Sequence, residues 1–306
     1  NLMGYTSATN TVTLILGGTN NLTFAGEFDL ANPNTGGNAA VPNDINGTNR
    51  TIQVTNTAAT TFSGLITDNA NPSGITKTGN GALFINGSAN NYTGPTVVSA
   101  GVLAGSGTIV SPVDVQTNGA IGGGPAASIG TFTINNTLTF DSGGAFIRIN
   151  KALSPAQSND VVSVTGAITA NAGAGTITVT NIGGTAVSVG DKFKIFNKAV
   201  AGTGTFTIVG AGMNWNNNLA VDGSISAASV NTGPATNPTN LTFSVSGGNL
   251  SITWPADHQG WYLQMNTNSL SSNTWTDVAG SNNGTNSVVP IDPNVPRAFF
   301  RMSLQP

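Results

Sequence analysis

The sequence has no cysteine in its 306 residues, which excludes disulfides, thiol nucleophiles and cysteine-ligated metals. Histidine occurs once, as His258, and glutamate once, as Glu27, leaving few groups for acid–base or metal chemistry. Charged residues make up 7% of the chain, against roughly a quarter in an ordinary soluble domain. A net charge of −3 gives no electrostatic footprint for nucleic acid or an anionic membrane. No run approaches the ~18 uninterrupted apolar residues of a spanning helix, so neither nucleic acid nor membrane insertion is expected. The residues from Asn1 onward show no basic, apolar export signal; either one has been removed or the numbering begins inside a longer precursor. Sparse charge does not mean disorder here, because disordered chains are poor in apolar residues and 38% of this one is hydrophobic.

What is abundant is glycine, with 40 residues, about twice the usual share. "TVTLIL" (Thr11 to Leu16), "RTIQVTN" (Arg50 to Asn56), "DVVSVTG" (Asp160 to Gly166) and "GTITVTN" (Gly175 to Asn181) are strand-length, rich in β-branched residues and closed by Gly, Asn or Asp. The periodicity predicts an all-β protein. "GTFTI" occurs at Gly130 and again at Gly204, and an aromatic-x-Gly corner recurs at Phe24, Phe62 and Tyr92. Spacing this irregular fits a β-solenoid with loops of unequal length better than a propeller of equal blades. Coils of roughly 20 to 25 residues are expected, with Leu83, Ile85, Val97, Val102 and Leu103 turned inward. Phe84 is expected to fill a coil interior and Asn90 to be exposed.

"GITKTGNGALFINGSANNYTGPTVVSAGVLAGSG" (Gly74 to Gly107) resembles the autotransporter-associated β-strand repeat, the passenger-associated transport repeat of bacterial surface and secreted proteins. The resemblance rests on "TKTGNGAL", "YTG" and "AGVL". The stretch from Asp160 to Ser229 is similar to the region that closes many such chains. The resemblance implies an extended β passenger displayed outside the cell, secreted or at the surface. No membrane-spanning β-barrel pattern follows, so export by another route is expected.

After "ASVNTGPATNPTN" (Ala228 to Asn240) the texture changes. The expected organisation is a repeat region over 1–229, a linker over 230–240 and a compact β-sandwich over 241–306. "NLSITWPADHQGWYLQMNTN", "TWTDV" and "FFRMSL" resemble a fibronectin type III or related immunoglobulin-like domain. Such a sandwich has about seven strands, and only six are legible here. Trp254 and Trp275 are expected in its core.

Chemistry is sparse. His258 is read as an exposed turn residue, and Asp141 and Asp160 would have to converge from distant positions to act as a glycosidase pair. "NDINGTN" (Asn43 to Asn49) lacks the closing glutamate of a calcium loop, and "GAIGGGPAASIG" (Gly119 to Gly130) lacks the Lys-Ser/Thr of a phosphate loop. No catalytic residue, metal or cofactor is expected, and the chain is not read as an enzyme. Trp215, Trp261 and Tyr262 are candidates for a glycan-stacking platform.

The expected function is a structural subunit of a bacterial extracellular fibre, its copies joined head to tail by β-strand addition. A surface adhesin or glycan-binding passenger is the alternative. The expected partners are accordingly other copies of the chain, and in the alternative surface glycans. Val12, Leu14, Ile15 and Leu16 form the candidate intersubunit strand. Phe299, Phe300, Met302 and Leu304 mark the candidate acceptor edge of a sandwich lacking its last strand. The same N-terminal strand could instead cover the first coil of its own solenoid.

Overall fold

The structure, a computed structural model, describes residues 13–30, 49–68, 72–154, 157–231, 239–255, 258–270 and 274–304. Val12, most of the Asn43 to Asn49 stretch, Asp257 and most of the linker lie outside these residues. The chain divides into two compact units, Asn1–Val230 and Asn231–Pro306.

The first unit is β-solenoid-like and built from parallel ladders. One ladder stacks Thr13–Leu16, Arg50–Val54, Ile75–Thr78, Thr96–Ala104, Val113–Ile121, Leu138–Asp141, Ile168–Ala170 and Ala201–Gly202. A second runs beside it through Leu22–Phe24, Thr60–Phe62, Ala82–Ile85 and, further on, Gly144–Ile149, Thr176–Asn181 and Thr207–Gly210. Short ladders such as Thr108–Ile109, Thr131–Ile134 and Val161–Val164 make a third side. Period-two alternation turns every second side chain inward, and parallel pairing in register places those side chains above one another. Leu14, Ile52, Lys77, Val98, Val115, Phe140, Ala170 and Gly202 form one such column. One coil takes as few as 17 residues, from Val98 to Val115, or as many as 38, from Leu14 to Ile52. The expected 20 to 25 is therefore too narrow, because the loops absorb the difference while the rungs keep register.

The interior corrects several inward assignments. Leu83, Ile85 and Leu103 are buried, but Val97 and Val102 face outward and Val98 takes the interior position. In the doublets Val97-Val98 and Val102-Leu103 either phase places a branched apolar residue inside; the column neighbours Lys77 and Val115 select Val98. Thr96 is also interior, its hydroxyl held between Tyr92 Oη (2.8 Å) and Ser111 Oγ (2.7 Å). Phe84 lies between two inward residues and faces out, half-buried. Asn90 is buried, donating to the Gly87 (2.6 Å) and Thr108 (2.9 Å) carbonyls while its Oδ1 accepts the Ile66 N–H (2.8 Å).

One corner is a column of glycines. A Cβ on Gly64 would stand 2.1 Å from the Gly26 carbonyl oxygen, on Gly87 2.3 Å from that of Gly64, and on Gly107 2.2 Å from that of Gly87. Only hydrogen fits between these stacked turns. At the far end the ladders meet an antiparallel sheet of Lys192–Lys194, Ser224–Val230 and Met213–Asn218, with the one-turn helix Leu219–Asp222. Phe193, Met213, Leu219 and Ile225 of this cap are buried in the same core as the rungs.

The second unit is a small sandwich of two three-stranded antiparallel sheets. One is ordered Thr242–Ser246, Asn249–Thr253, Asn286–Pro290, the other Thr276–Asp277, Tyr262–Asn266, Phe299–Ser303. Its core is Ile252, Trp254 and Leu263, with Leu250, Phe300 and Met302 packed against it. Trp275 is not in that core; it is half-buried, with the Arg301 guanidinium 4.4 Å from its ring centroid.

Candidate functional site

Thr13–Leu16 is the first described rung of its own solenoid. It pairs in parallel with Arg50–Val54, Leu14 opposite Ile52 and Leu16 opposite Val54. Leu16 is buried and Leu14 half-buried, whereas Ile15 points outward and is 63% exposed. Among the described residues this strand is paired on one side alone, as is Leu22–Phe24 beside it.

The candidate acceptor residues lie on Phe299–Ser303 and just beyond it, at one edge of the second sheet. Phe300 and Met302 turn toward the core, opposite Met265 and Leu263. Phe299 is half-buried and Leu304 exposed. A groove of about 410 Å³ opens between the sheets, lined by Leu250, Met265, Val289, Val295, Ala298 and Phe300. On the other face Arg301 Nε donates to Gln264 Oε1 (2.8 Å), and Gln264 Nε2 donates to Asp277 Oδ1 (2.7 Å).

The three platform candidates are not brought together by either fold unit. Trp215 belongs to the solenoid cap, its ring 6.1 Å from that of Phe193 and its Nε1 donating to the Gly210 carbonyl (3.1 Å). Trp261 and Tyr262 belong to the sandwich and are half-buried. His258, expected to be exposed, is buried, its ring 5.3 Å from that of Trp261. The turn folds back on itself, Trp261 N–H donating to the His258 carbonyl (3.2 Å), and the tryptophan covers the imidazole.

Arg148, Asp160 and Lys77, charged and buried inside the solenoid, have structural partners. Arg148 Nε donates to Asp160 Oδ2 (2.7 Å), and the guanidinium also donates to the carbonyls of Gly123, Pro125 and Ala126. Burial pushes the Asp160 carboxyl above its ordinary value, and Arg148 opposes that shift. The pair fastens the Gly119 to Gly130 stretch, so Asp160 is held in a buried clamp while Asp141 sits at an exposed strand end. Lys77 is fully buried in the interior column. Its Nζ donates to the carbonyls of Thr78 (3.0 Å), Gly79 (2.7 Å) and Ala100 (2.8 Å), and burial lowers its ammonium to about 8. A Cβ at Gly101, where φ is +69°, would stand 2.8 Å from that Nζ. Among the described residues no three His, Cys, Asp or Glu side chains gather as a metal site.

Residues 75–104 match the passenger-associated-transport-repeat family. The matched repeat begins on Ile75–Thr78, passes through Ala82–Ile85 and ends with Thr96–Ala104. It thus carries Lys77, the Tyr92–Thr96 hydrogen bond and Asn90. The repeat implies an autotransporter passenger-type protein, secreted or displayed at the surface. No curated protein matches the chain. Sequence reading missed Lys77 and Asn90 because polar residues are normally assigned outward. It also missed Phe243 and Val245, although the alternation in "TFSVS" was the available signal.

Proposed function

We propose that the chain is a non-enzymatic structural passenger, a subunit of a bacterial extracellular fibre whose copies join head to tail. The observation that carries this reading is the unlikeness of the solenoid's two ends. One end is closed by the cap around Phe193, Leu219 and Ile225. The other presents the first described rung, whose Leu14, Leu22 and Phe24 are only half-buried and whose outer edge is unpaired among the described residues. A strand edge of this kind is a template for another chain, and joining unlike surfaces extends rather than closes an assembly. Negative-stain electron microscopy and sedimentation of the purified chain test the reading. Filaments or a concentration-dependent ladder of oligomers are expected, and a monomer at every concentration overturns it.

A second reading, a glycan-binding passenger, is favoured by one feature. Outward-facing Phe84 lines a groove of about 530 Å³ with Thr55, Thr57, Asn80 and Ala126, and among the described residues none that lines it is charged. An aromatic ring beside neutral amides and hydroxyls suits an uncharged sugar. Titration calorimetry with neutral oligosaccharides is expected to give binding that Phe84→Ala abolishes; no heat with any of them sets this reading aside.

A further inference from the structure

The sandwich of the second unit has an apolar inner face that its facing sheet leaves uncovered. Residues opposite one another in an antiparallel pair project to the same face. Phe243 pairs with Ile252 and Val245 with Leu250, so Phe243 and Val245 share the face on which Ile252 is buried. Yet Phe243 is 75% exposed and Val245 61%. Among the described residues the facing sheet therefore does not reach beneath Thr242–Ser246. That sheet ends on one side at Thr276–Asp277, a two-residue edge carrying a carboxylate. On the other side it ends at Phe299–Ser303, a five-residue edge with apolar Phe300 and Met302 turned inward. Its only charge, Arg301, is turned to the opposite face and stacked on Trp275. The charges, prolines and bulges that usually blunt an edge strand are missing from its inner side.

We propose that this is a slot for one further strand, added along Phe299–Ser303 beneath Phe243 and Val245, and that its occupant is the first-rung strand Thr13–Leu16 of a second copy. The proposal rests on the fibre reading and supplies its joint. An occupant must offer an unpaired backbone edge and apolar side chains at alternate positions. Thr13–Leu16 has both: it is paired on one side alone among the described residues, carries no charge, and sets Leu14 and Leu16 on one face. It need not leave its solenoid to add to the slot. Its half-buried neighbours Leu22 and Phe24 bring a second unfinished core against the first, so Phe243 and Val245 cover the solenoid end while that end covers them. The two surfaces differ, so each copy keeps one free surface of either kind and the contact propagates.

The test uses the full chain. Phe243→Ser with Val245→Ser changes two exposed side chains, so the double variant keeps the wild-type circular dichroism spectrum and, at low protein concentration where no second copy is bound, the wild-type melting temperature. Sedimentation velocity is expected to show its self-association weakened by at least about tenfold. The chain has no cysteine of its own, so single cysteines report cleanly. A tagged Thr13→Cys chain mixed with an untagged Ser303→Cys chain is expected to give mixed disulfide dimers. Ser303→Cys dimers alone would assign the slot to a sandwich–sandwich contact and overturn the occupant. Filaments that persist unchanged in the double variant overturn the slot and leave the fibre reading standing. A wild-type chain that stays monomeric overturns both.

Discussion

In the unit Asn1–Val230, rung after rung contributes inward side chains that are fully buried, from Ile52 through Leu83, Val115 and Phe132 to Ile177. In the unit Asn231–Pro306, the described residues bury only Ile252, Trp254 and Leu263 as a core, while Phe243 and Val245 stay exposed on the inner face. Both are all-β and almost uncharged, and the difference lies in how each covers its strands. A solenoid rung is covered by the rung above and the rung below, so repetition itself completes the core until a cap ends it. A sandwich is covered only by its opposite sheet, and where that sheet does not reach, apolar side chains such as Phe243 and Val245 stay in water. Order in the first unit is cumulative, whereas in the second it is limited by how far the two sheets overlap.

Breaking the buried ion pair tests the first half of this comparison with the largest expected effect. Arg148→Ala leaves the Asp160 carboxylate buried without its cation and frees the carbonyls of Gly123, Pro125 and Ala126. The expected loss is roughly 3–5 kcal/mol, read by urea unfolding. Arg301→Ala in the sandwich removes a guanidinium stacked on Trp275 at a half-buried site and is expected to cost no more than about 1 kcal/mol. Equal losses would mean that the clamp carries no special share of solenoid stability.

Next in size is the contrast between facing in and facing out. Phe132, fully buried on its rung, is expected to cost roughly 3–5 kcal/mol as Phe132→Ala, whereas outward Phe84→Ala is expected to cost about 1 kcal/mol or less. Asn90→Ala belongs with the interior residues despite its polarity. It would strand the Ile66 N–H and the Gly87 and Thr108 carbonyls, a loss of roughly 1–3 kcal/mol measurable in the same unfolding experiment.

The β character, the solenoid-like stacking and the repeat at residues 75–104 were legible because glycine corners and alternating short strands are local signals. The six sandwich strands were legible for the same reason. What could not be read was facing within a coil. Val97 or Val98, and Phe84 or its neighbours Leu83 and Ile85, are separated by column neighbours 17 to 23 residues away rather than by their own side chains. Nor does polarity mark the outside here. Lys77, Thr96 and Asn90 enter the interior because each finds hydrogen-bond partners in an adjacent turn. Thr13–Leu16 and Phe299–Ser303 were legible as apolar strands; the uncovered face of the sandwich required the register of Thr242–Ser246 against Asn249–Thr253.

Lys77 turns that reading into a pH experiment. Burial lowers its ammonium to about 8 from an unfolded value near 10.5. Between those values the unfolded chain holds a proton that the folded chain has released, so stability rises with pH across the window. Below pH 8 both states are protonated and this contribution is flat. The solenoid's unfolding midpoint is expected to climb from pH 8 toward pH 10, and Lys77→Met is expected to remove the climb. A midpoint that falls across the window in wild type and variant alike would show that the ammonium is not shielded as the column implies.

The smallest expected effect is also the sharpest statement about the second unit. Phe243 is a large aromatic on the inner face of a sandwich, a position where truncation ordinarily costs roughly 3–5 kcal/mol. With three-quarters of its surface in water, it has almost no burial to lose, so Phe243→Ser in the monomer is expected to change stability by less than about 0.5 kcal/mol. Trp254→Ser, two residues beyond Phe243's partner Ile252, is expected to unfold the unit or cost several-fold more. Thermal melts at low protein concentration, where no second copy is bound, separate the cases. A large loss from Phe243→Ser under those conditions would mean that the face is already covered within the single chain, and the contrast between the solenoid's fully buried rungs and the sandwich's uncovered inner face would fail.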